Sequence, residues 1–547
     1  MVRTHGRTVC STMTAVVLAL SIWGCARHRP PTAPTATPAQ PVTIQPEGRK
    51  QMPTAVAPRE FPRIPPPDAK AARVPPGYRV EIAVKDLIYP SSVEFDDQGN
   101  LFIAEAGYIY GDLVAPARIL RVRQDRIEVV AEQLNGPVTD LLWHQGRLYI
   151  SHRGKISVLD PGGSVRDLVT GLPSWGDHHN NQLTAGPDGR IYFGQGTATN
   201  SGVVGLDNVF PYLWLTFYPD VYDIPARDIR VTNESFTTPD PLTVLAEQGD
   251  MVSTGEAVKH LLSKNEPLLV RTGGFAPFGR TADSAKGQVK SNGTILRMNP
   301  DGSGLEVYAW GLRNPFGVMF GPDGRLYASD NGYDERGSRP IANALDAIWE
   351  IRQGAWYGFP DYNAGLPVTD ARFRPTRGDP PKFLMREHPP AEKPMTTRPL
   401  HAGVTKIDFS RSDAFGRRGH MFLGEVGGGT PVTGPDAPPA GHQVSVIDLS
   451  TGKAEPFFSA DPSSLGPKGQ EYVTTPGPKR PVDVKFSPDG NALYVVDIGA
   501  LVGFAAGGGP AARPFPGSGV VWRIVREGAL ASGPTNLSPI PRAAGGR

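Results

Sequence analysis

Apolar and polar residues follow a repeating pattern along most of the chain. Each copy has a short apolar strand, a turn of the Pro-Asp-Gly type, and a second strand that begins with Leu or Ile followed by Tyr or Phe in the clearest copies. Asp-Gly between two apolar runs predicts a β-hairpin, because the turn requires positive φ and glycine adopts it without strain. The copies lie at residues 93–103, 141–150, 183–193, within 311–332, 407–423 and 484–494.

A further apolar strand follows each hairpin, and the unit recurs at spacings of about forty residues or more. Six hairpins with six closing strands are typical of the blades of a β-propeller. No single copy can bury both of its faces, so the copies must stack. The regular recurrence disfavours the alternative, an open β-sandwich. The predicted closing strands are Arg118–Val122, Lys155–Leu159, Thr294–Met298, Ala347–Ile351, Val444–Leu449 and Val520–Val525.

We therefore predict an all-β, six-bladed propeller over residues 73–527. Tyr78–Val84 alternates like a strand and is expected to join the last blade and close the ring. A long insertion of about 197–292 interrupts the third blade and is either a functional loop or lid, or an extra packing layer on one face. It contains an aromatic-rich segment, Leu206–Tyr222, and a stretch with some helical character, Glu247–Lys264.

The N-terminal segment predicts export. Residues 1–25 place two arginines before an apolar run too short to span a membrane as a mature helix, and they end at Ile-Trp-Gly-Cys. This ending resembles a bacterial lipobox, in which Cys25 is lipidated; an ordinary cleaved signal peptide is the alternative. Residues 26–72 are Pro-rich and predict a disordered tether, and 528–547 a disordered tail. We expect a location in the periplasm or cell envelope, anchored to the membrane by lipid.

Composition narrows the possible functions. The chain has 547 residues with 39% hydrophobic, and its 64 Gly and 57 Pro suit many tight turns. A net charge of +2 gives little support to nucleic-acid binding. The two cysteines, Cys10 and Cys25, both precede the globular part, which therefore holds no disulfide, zinc-cysteine cluster or c-type haem. Electrons from any redox reaction would leave to an external acceptor.

Polar residues stand where three inner strands begin. His178 and His179 precede the third-blade hairpin, Arg313 the fourth and Arg480 the last. A histidine titrates near neutral pH, and an arginine can fork onto a carboxylate. Turn capping and inter-blade salt bridges are the structural alternatives. The segment Asn331–Arg339 is rich in oxygen ligands, as Ca²⁺ requires, or is a charged surface loop.

From about Pro75 to Val525 the chain resembles the glucose/sorbosone dehydrogenase family. These are six-bladed propellers related to soluble aldose dehydrogenases that use pyrroloquinoline quinone (PQQ). Each motif is short, but their order along the blades is specific. The motifs are the Pro-Gly-Tyr opening, His178 to Gly189, Gly311 to Pro315, Asp330 to Gly332, Trp356 to Pro360 and Arg480 to Val484.

The resemblance implies an exported dehydrogenase, dependent on PQQ and calcium, that oxidises an aldose or another alcohol. His178 matches the general base, with His179 as the second choice; Arg313 and Asn314 match residues at the quinone oxygens; Arg480 matches an arginine near the cofactor. PQQ carries three carboxylates and an electrophilic ortho-quinone, so cations would bind it and stabilise the charge that hydride transfer creates. A base would take the hydroxyl proton.

The resemblance also places calcium and marks departures. Gly332 and Tyr333 fall where the family holds calcium by backbone carbonyls. Gly196-Thr197 stands where well-known members carry a carboxylate beside the base, so His178 is expected to lack that orienting partner. Glu425 lies in the region of a cofactor lysine, and Val482 replaces a second arginine.

Two other functions remain open on the sequence. The first is a non-catalytic propeller that presents the aromatic insertion to a glycan or a protein. The second is a calcium-dependent, lactonase-like hydrolase, which needs Glu, Asn and Asp ligands gathered around one metal.

Overall fold

The computed structural model describes residues 62–109, 112–113, 116–123, 126–160, 162–208, 214–240, 269–428, 440–467, 470–502, 513–528 and 533–539. The predicted signal segment, Cys25, most of the predicted tether and Glu247–Lys264 lie outside the described residues. Within those residues, no helix reaches the length and apolarity that a bilayer crossing requires.

The described residues form six antiparallel sheets of four or five strands, each arranged as a blade, and confirm the predicted six-bladed propeller. From the inner to the outer edge, blades one to three contain Pro90–Phe95, Leu101–Glu105, Ala117–Arg123 and Arg126–Leu134; Val138–His144, Arg147–His152, Lys155–Leu159 and Val165–Val169; and Asn180–Ala185, Ile191–Gln195, Thr294–Met298 and Glu306–Trp310. Blades four to six contain Pro315–Phe320, Leu326–Asp330, Asp346–Ile351 and Thr396–Arg398; Val404–Phe409, Met421–Glu425, Gln443–Ile447, Ala454–Ala460 and Ala72–Arg73; and Pro481–Phe486, Ala492–Asp497, Gly519–Arg526 and Tyr78–Leu87.

Short elements connect the blades. The helical ones are 3₁₀ turns at Ala69–Ala71, Leu206–Asn208, Ala371–Phe373 and Pro462–Ser464, and one α-helical turn at Trp214–Phe217. The two-stranded ribbons pair Tyr108–Ile109 with Asp112–Leu113, Ile229–Arg230 with Ser284–Ala285, Ser235–Pro239 with Leu269–Gly273, Tyr362–Asn363 with Leu366–Pro367, and Leu501–Val502 with Arg513–Pro514.

The predicted hairpins and closing strands are the first three strands of each blade. The fourth strands of blades one to four were not predicted, because they lie at the outer edge of their sheets and carry little apolar pattern. Val165–Val169, for example, has three exposed residues, one half-buried residue and one buried residue. Hydrophobic periodicity marks a strand only where one face is buried.

The N-terminal strand closes the ring, as predicted. Tyr78–Leu87 pairs antiparallel with Gly519–Arg526, and Ile82 lies opposite Trp522. Two neighbouring segments also contact the ring. Ala72–Arg73, at the boundary between the predicted tether and the predicted propeller, pairs with Ala454–Ala460 of blade five. In the predicted tail, the backbone N–H of Asn536 donates to the carbonyl of Ile82 at 2.7 Å.

The insertion packs as a layer rather than hanging free. Its described residues share an apolar cluster with the excursion that joins the last two strands of blade four. The cluster contains Val203, Ile229, Val231, Phe275, Trp310, Trp356, Leu384 and Met385. The described part of the insertion therefore packs on the propeller.

The third residue of each inner strand contributes to a buried ring across the channel. The six residues are Ser92, Asp140, Gln182, Gly317, Lys406 and Asp483. Lys406 is fully buried, and its Nζ lies 2.8 Å from Asp140 Oδ1 and 3.2 Å from Asp483 Oδ2. One lysine therefore ties the inner strands of blades two, five and six together.

We expect Lys406→Ala to lower the free energy of unfolding by about 3–5 kcal/mol, because two buried carboxylates lose their cation. Chemical denaturation at neutral pH measures the change. Lys453→Ala, at an exposed turn, is the matched control and should change stability by less than about 0.5 kcal/mol. Equal effects of the two substitutions would contradict a stabilising role for the buried triad.

Candidate active site

The predicted site residues sit where inner strands begin. His178 and His179 precede Asn180–Ala185, Arg313 precedes Pro315–Phe320, and Arg480 precedes Pro481–Phe486. The six inner strands contact one another in ring order, and the last contacts the first. They share one direction because every blade repeats the same connection, so their starts meet at one mouth of the channel.

The imidazole of His178 is oriented by Thr197. Its Nδ1 lies 2.9 Å from the Thr197 carbonyl oxygen and 3.1 Å from the Thr197 hydroxyl. That hydroxyl donates its own hydrogen to the carbonyl of Thr199 at 2.7 Å, so both oxygens accept from the ring. Nδ1 therefore carries the proton and Nε2 presents a lone pair. No described residue hydrogen-bonds to Nε2.

The group that orients His178 is not the carboxylate that the resembled family carries. Gly196-Thr197 stands at that position, so the sequence predicts a histidine without a carboxylate partner. Thr197 orients the ring instead, through its backbone carbonyl and its hydroxyl, in a form that motif comparison does not detect. A neutral acceptor orients the ring without adding negative charge beside it.

Charge and burial keep the site histidines neutral. Burial and the nearby guanidinium groups of Arg313 and Arg336 hold the pKa of His178 well below its ordinary value of 6.5. Burial and Arg153 lower the pKa of His179 to about 3, and its Nδ1 lies 3.1 Å from the carbonyl of Ser174. Both rings are therefore neutral imidazoles at neutral pH, with one of the two ring nitrogens protonated.

A buried carboxylate fixes the backbone of the Arg-Asn corner. Asp330 ends the second strand of blade four and accepts the N–H groups of Arg313 at 3.1 Å and Asn314 at 2.7 Å. The Trp349 indole also donates to Asp330, at 3.4 Å. Burial raises the pKa of Asp330 to about 6.

The side chain of Arg313 is partly used by the protein. Its Nε donates to the Asn200 carbonyl at 2.9 Å, and its Nη2 donates to Asn200 Oδ1 at 2.8 Å and to Asp334 Oδ2 at 3.2 Å. The salt bridge of Arg313 is thus made with Asp334 of the blade-four loop, and its other hydrogen bonds are made with Asn200 of the insertion. It does not join adjacent inner strands. Among the described residues, none takes a hydrogen bond from Nη1.

Asn314 meets His178 across a glycine. The Asn314 Oδ1 accepts from Asn181 Nδ2 at 2.9 Å, and its Nδ2 donates to Asn331 at 2.8 Å. A Cβ on Gly196 would lie 2.4 Å from the His178 Cβ and 2.7 Å from the Asn314 Oδ1. Only glycine allows this approach, so His178, Arg313 and Asn314 form one group.

The insertion anchors the loop that carries the base. Arg336 donates to Asp177 at 2.9 Å, to Asp207 at 2.5 Å and to Asp334 at 3.1 Å. The Trp214 indole donates to Asp177 at 2.6 Å. Burial raises the pKa of Asp207 to about 6, although Arg336 opposes the shift. Sequence reasoning missed this cluster, because its members are far apart in the chain.

The predicted calcium position has free carbonyls. The N–H of Gly332 donates to Asp346 at 2.8 Å, and the Tyr333 hydroxyl donates to the Tyr362 carbonyl at 3.0 Å. Within the described residues no donor reaches the carbonyl oxygens of Gly332 or Tyr333. The same residues contain no group of three or more His, Cys, Asp or Glu side chains placed for a metal. A cation here would depend on backbone oxygens.

Arg480 lies apart from the His178 group. Blades three and six are opposite each other in the ring, and the Arg480 guanidinium donates to the carbonyls of Val426 at 3.0 Å, Gly427 at 3.3 Å and Gly428 at 3.1 Å. The structure therefore brings together three of the four predicted catalytic and cofactor residues and places the fourth across the mouth.

The two departures near Arg480 are structural residues. Glu425 is fully buried and accepts from Arg398 Nε at 2.5 Å, so its negative charge is paired. Val482 packs in the apolar core shared by blades one and six. Glu425 therefore adds no unpaired acid to the mouth, and Val482 adds no cation there.

A family model described as Glucose / Sorbosone dehydrogenase matches residues 257–425. The match runs from the insertion through blade four into the second strand of blade five, and it confirms the resemblance to a dehydrogenase family. None of the curated proteins matches the sequence.

Solved structures also overlap with the chain. The PQQ domain of pyranose dehydrogenase from Coprinopsis cinerea, in its holo form, is 16% identical and covers 85% of this chain and 99% of that one, with a TM-score of 0.49. PQQ-bound aldose sugar dehydrogenase from Streptomyces coelicolor is 15% identical and covers 83% and 100%, with a TM-score of 0.44.

Asp223 gives a test of the loop that orients His178. Its carboxylate accepts from the Ala198 N–H at 2.6 Å and from the Thr199 hydroxyl, and burial raises its pKa from 3.8 to about 7. Because the pKa of Asp223 is higher in the folded state than in the unfolded state, its contribution to stability is fully present below pH 3.8 and is lost as pH rises to 7. Asparagine does not titrate, so Asp223→Asn does not show this loss of stability. We expect the stability of the variant relative to wild type to rise by about 1.4 kcal/mol per pH unit between pH 4 and 7.

Urea denaturation at several pH values measures this slope. Asp228→Asn changes an exposed carboxyl and should show no comparable slope. A pH-independent difference between Asp223→Asn and wild type would contradict the raised pKa.

Proposed function

We propose, from the match to the glucose/sorbosone dehydrogenase family, that this chain oxidises the CH–OH group of a sugar or another alcohol. One observation carries the proposal: the His178 Nε2 lone pair is open, while Nδ1 is held by Thr197. A small-molecule substrate would enter at the mouth where the inner strands begin. The electrons would leave to an external acceptor.

His178 would act as the general base. A substrate hydroxyl that hydrogen-bonds to Nε2 transfers its proton there as the carbon loses hydride. The lowered pKa keeps the ring ready to accept that proton at neutral and mildly acidic pH. Thr197 keeps the accepting nitrogen aimed at the mouth, because rotation of the ring would break both contacts at Nδ1.

Arg313 and Asn314 would stabilise negative charge beside the base. The Arg313 Nη1 is the guanidinium nitrogen that the described residues leave available, and its partners on Nε and Nη2 fix its direction. A donor held in place before the reaction stabilises developing charge without reorganisation. Asn314, locked between Asn181 and Asn331, limits how the substrate can approach.

The residues present fit PQQ and calcium at one end of the cofactor. PQQ, when bound, would supply an ortho-quinone able to accept hydride, and Ca²⁺ would act as a Lewis acid. Arg313 and Asn314 would hold the quinone end, and the free carbonyls of Gly332 and Tyr333 suit a hard cation. Arg480 would contribute positive charge across the mouth.

Substitution of the base tests the reaction. With PQQ, Ca²⁺, an aldose and an artificial electron acceptor, His178→Ala should lower kcat about 10²–10⁴-fold, because the hydroxyl proton loses its acceptor. Wild-type kcat/KM should stay level as pH falls through 6.5, since the pKa of His178 lies well below that value. Dye reduction measured at saturating substrate reports both effects.

The matched control is His420→Ala, at a hairpin turn of blade five away from the mouth. It should retain wild-type activity. Reactions that lack PQQ, or that contain a calcium chelator, should be inactive. Activity that survives His178→Ala would remove this residue as the base, and no turnover across a panel of aldoses and alcohols would refute the dehydrogenase.

We further propose export and anchoring of the chain in the cell envelope through lipid on Cys25. The support is the lipobox-like ending of the apolar N-terminal run. Metabolic labelling with radioactive palmitate in a bacterial host should label the wild type and Cys10→Ser, while Cys25→Ser should remain unlabelled. Labelling that persists in Cys25→Ser would exclude this anchor.

A further inference from the structure

Three aromatic residues lie on the loop before His178 and on the insertion turn that contacts this loop. Trp175 lies three residues before His178, and its ring centroid is 4.9 Å from that of Tyr218. Trp175 is 38% exposed, and the neighbouring Phe217 is 70% exposed. Among the described residues, several large hydrophobic side chains are exposed, and Trp175 and Phe217 are the aromatic ones. We name Trp175, Phe217 and Tyr218 the aromatic rim.

The rim is rigidly attached to the catalytic loop. Phe217 ends the helical turn that starts at Trp214, and the Trp214 indole donates to Asp177 at 2.6 Å. On the loop itself, a Cβ on Gly176 would lie 2.3 Å from the Ala198 Cα, so this backbone packs directly on its neighbour. The two segments that carry the rim therefore hold a fixed position relative to His178.

The Trp175 end of the rim is close to the base along the chain. Three residues of extended chain span at most about 11 Å, which bounds the separation of the Trp175 and His178 backbones. Arg153 lies over the Trp175 ring, 5.6 Å from its centroid, and contributes to the orientation of the indole. Contiguous apolar surface with a polar surround is typical of ligand-binding and interaction sites.

We propose that the aromatic rim binds the second ring of an oligosaccharide whose terminal sugar reacts at His178. A pyranose ring has an apolar C–H face that packs on an aromatic side chain, while its hydroxyls stay in water or reach polar groups. The proposal rests on the proposed function and extends it from a sugar to an oligosaccharide end. The rim then selects substrate length, whereas His178 performs the proton transfer.

Kinetics on glucose, cellobiose and maltotriose test the proposal. Trp175→Ala should raise KM for the best oligosaccharide about tenfold and change kcat/KM for glucose by less than about twofold. Phe217→Ala, at a side chain exposed enough to leave the fold unchanged, should raise the same KM by a smaller factor. Trp175→Phe retains an aromatic face and should recover most of the affinity.

Binding without turnover separates this proposal from the proposed function. Calorimetric titration of full-length His178→Ala with cellobiose and maltotriose should show binding, and the double variant with Trp175→Ala should bind both about tenfold more weakly. Val165→Ala, exposed on the outer edge of blade two, is the control and should bind like its parent. Saccharide binding that depends on Trp175 in a protein without dehydrogenase activity would support the rim and refute the reaction.

Two results would overturn the rim. One is a Trp175→Ala variant whose KM for each oligosaccharide, like its KM for glucose, equals that of the wild type. The other is the absence of saccharide binding to the His178→Ala protein, or binding that Trp175→Ala leaves intact.

Discussion

The common direction of the inner strands is the constraint on which the site depends. Because every blade enters the channel from the same end, the residue before each inner strand must lie at one mouth. Carboxylates at the ends of neighbouring second strands then fix these entry points. Asp330 accepts from the backbone of Arg313 and Asn314, and Asp497 accepts from that of Lys479 and Arg480. The fold thus determines where polar side chains converge before any of them performs chemistry.

The electrostatics of the site follow from the ion pairs of Arg336 and the hydrogen bonds of His178. Arg336 contacts three carboxylates, so the loop before His178 is held by ion pairs that are largely buried from solvent. His178 receives no carboxylate of its own; Thr197 orients it with neutral oxygens instead. The result is an uncharged imidazole beside a guanidinium. A charged acid in the place of Thr197 would raise the proton affinity of the ring and also bring a competing anion to the mouth.

Sequence reasoning reached the fold because the hairpins combine local turn chemistry with a buried face. It also predicted that His178, Arg313 and Asn314 stand where inner strands begin, and the three residues lie together at that place. It missed Thr197 and Arg336, whose roles depend on a backbone carbonyl and on partners more than a hundred residues away. It also missed Lys406, since a lysine in an apolar strand carries no local sign that two carboxylates from other blades will meet it. Local patterns predict elements and entry points; long-range pairing of polar groups does not follow from them.

The outer strand of the last blade comes from the beginning of the globular chain. Glu81 and Arg523, which form an ion pair across that blade, are separated by 442 residues. During synthesis, the outer strand Tyr78–Leu87 emerges long before its partner exists, and its hydrogen-bonding edge stays unmatched until Gly519–Arg526 has been translated. Such distant pairing is slow and exposes intermediates to aggregation. A ribosome that stalls before Gly519 would therefore leave a molecule with most blades formed and an open seam, a substrate for chaperones rather than a smaller working protein.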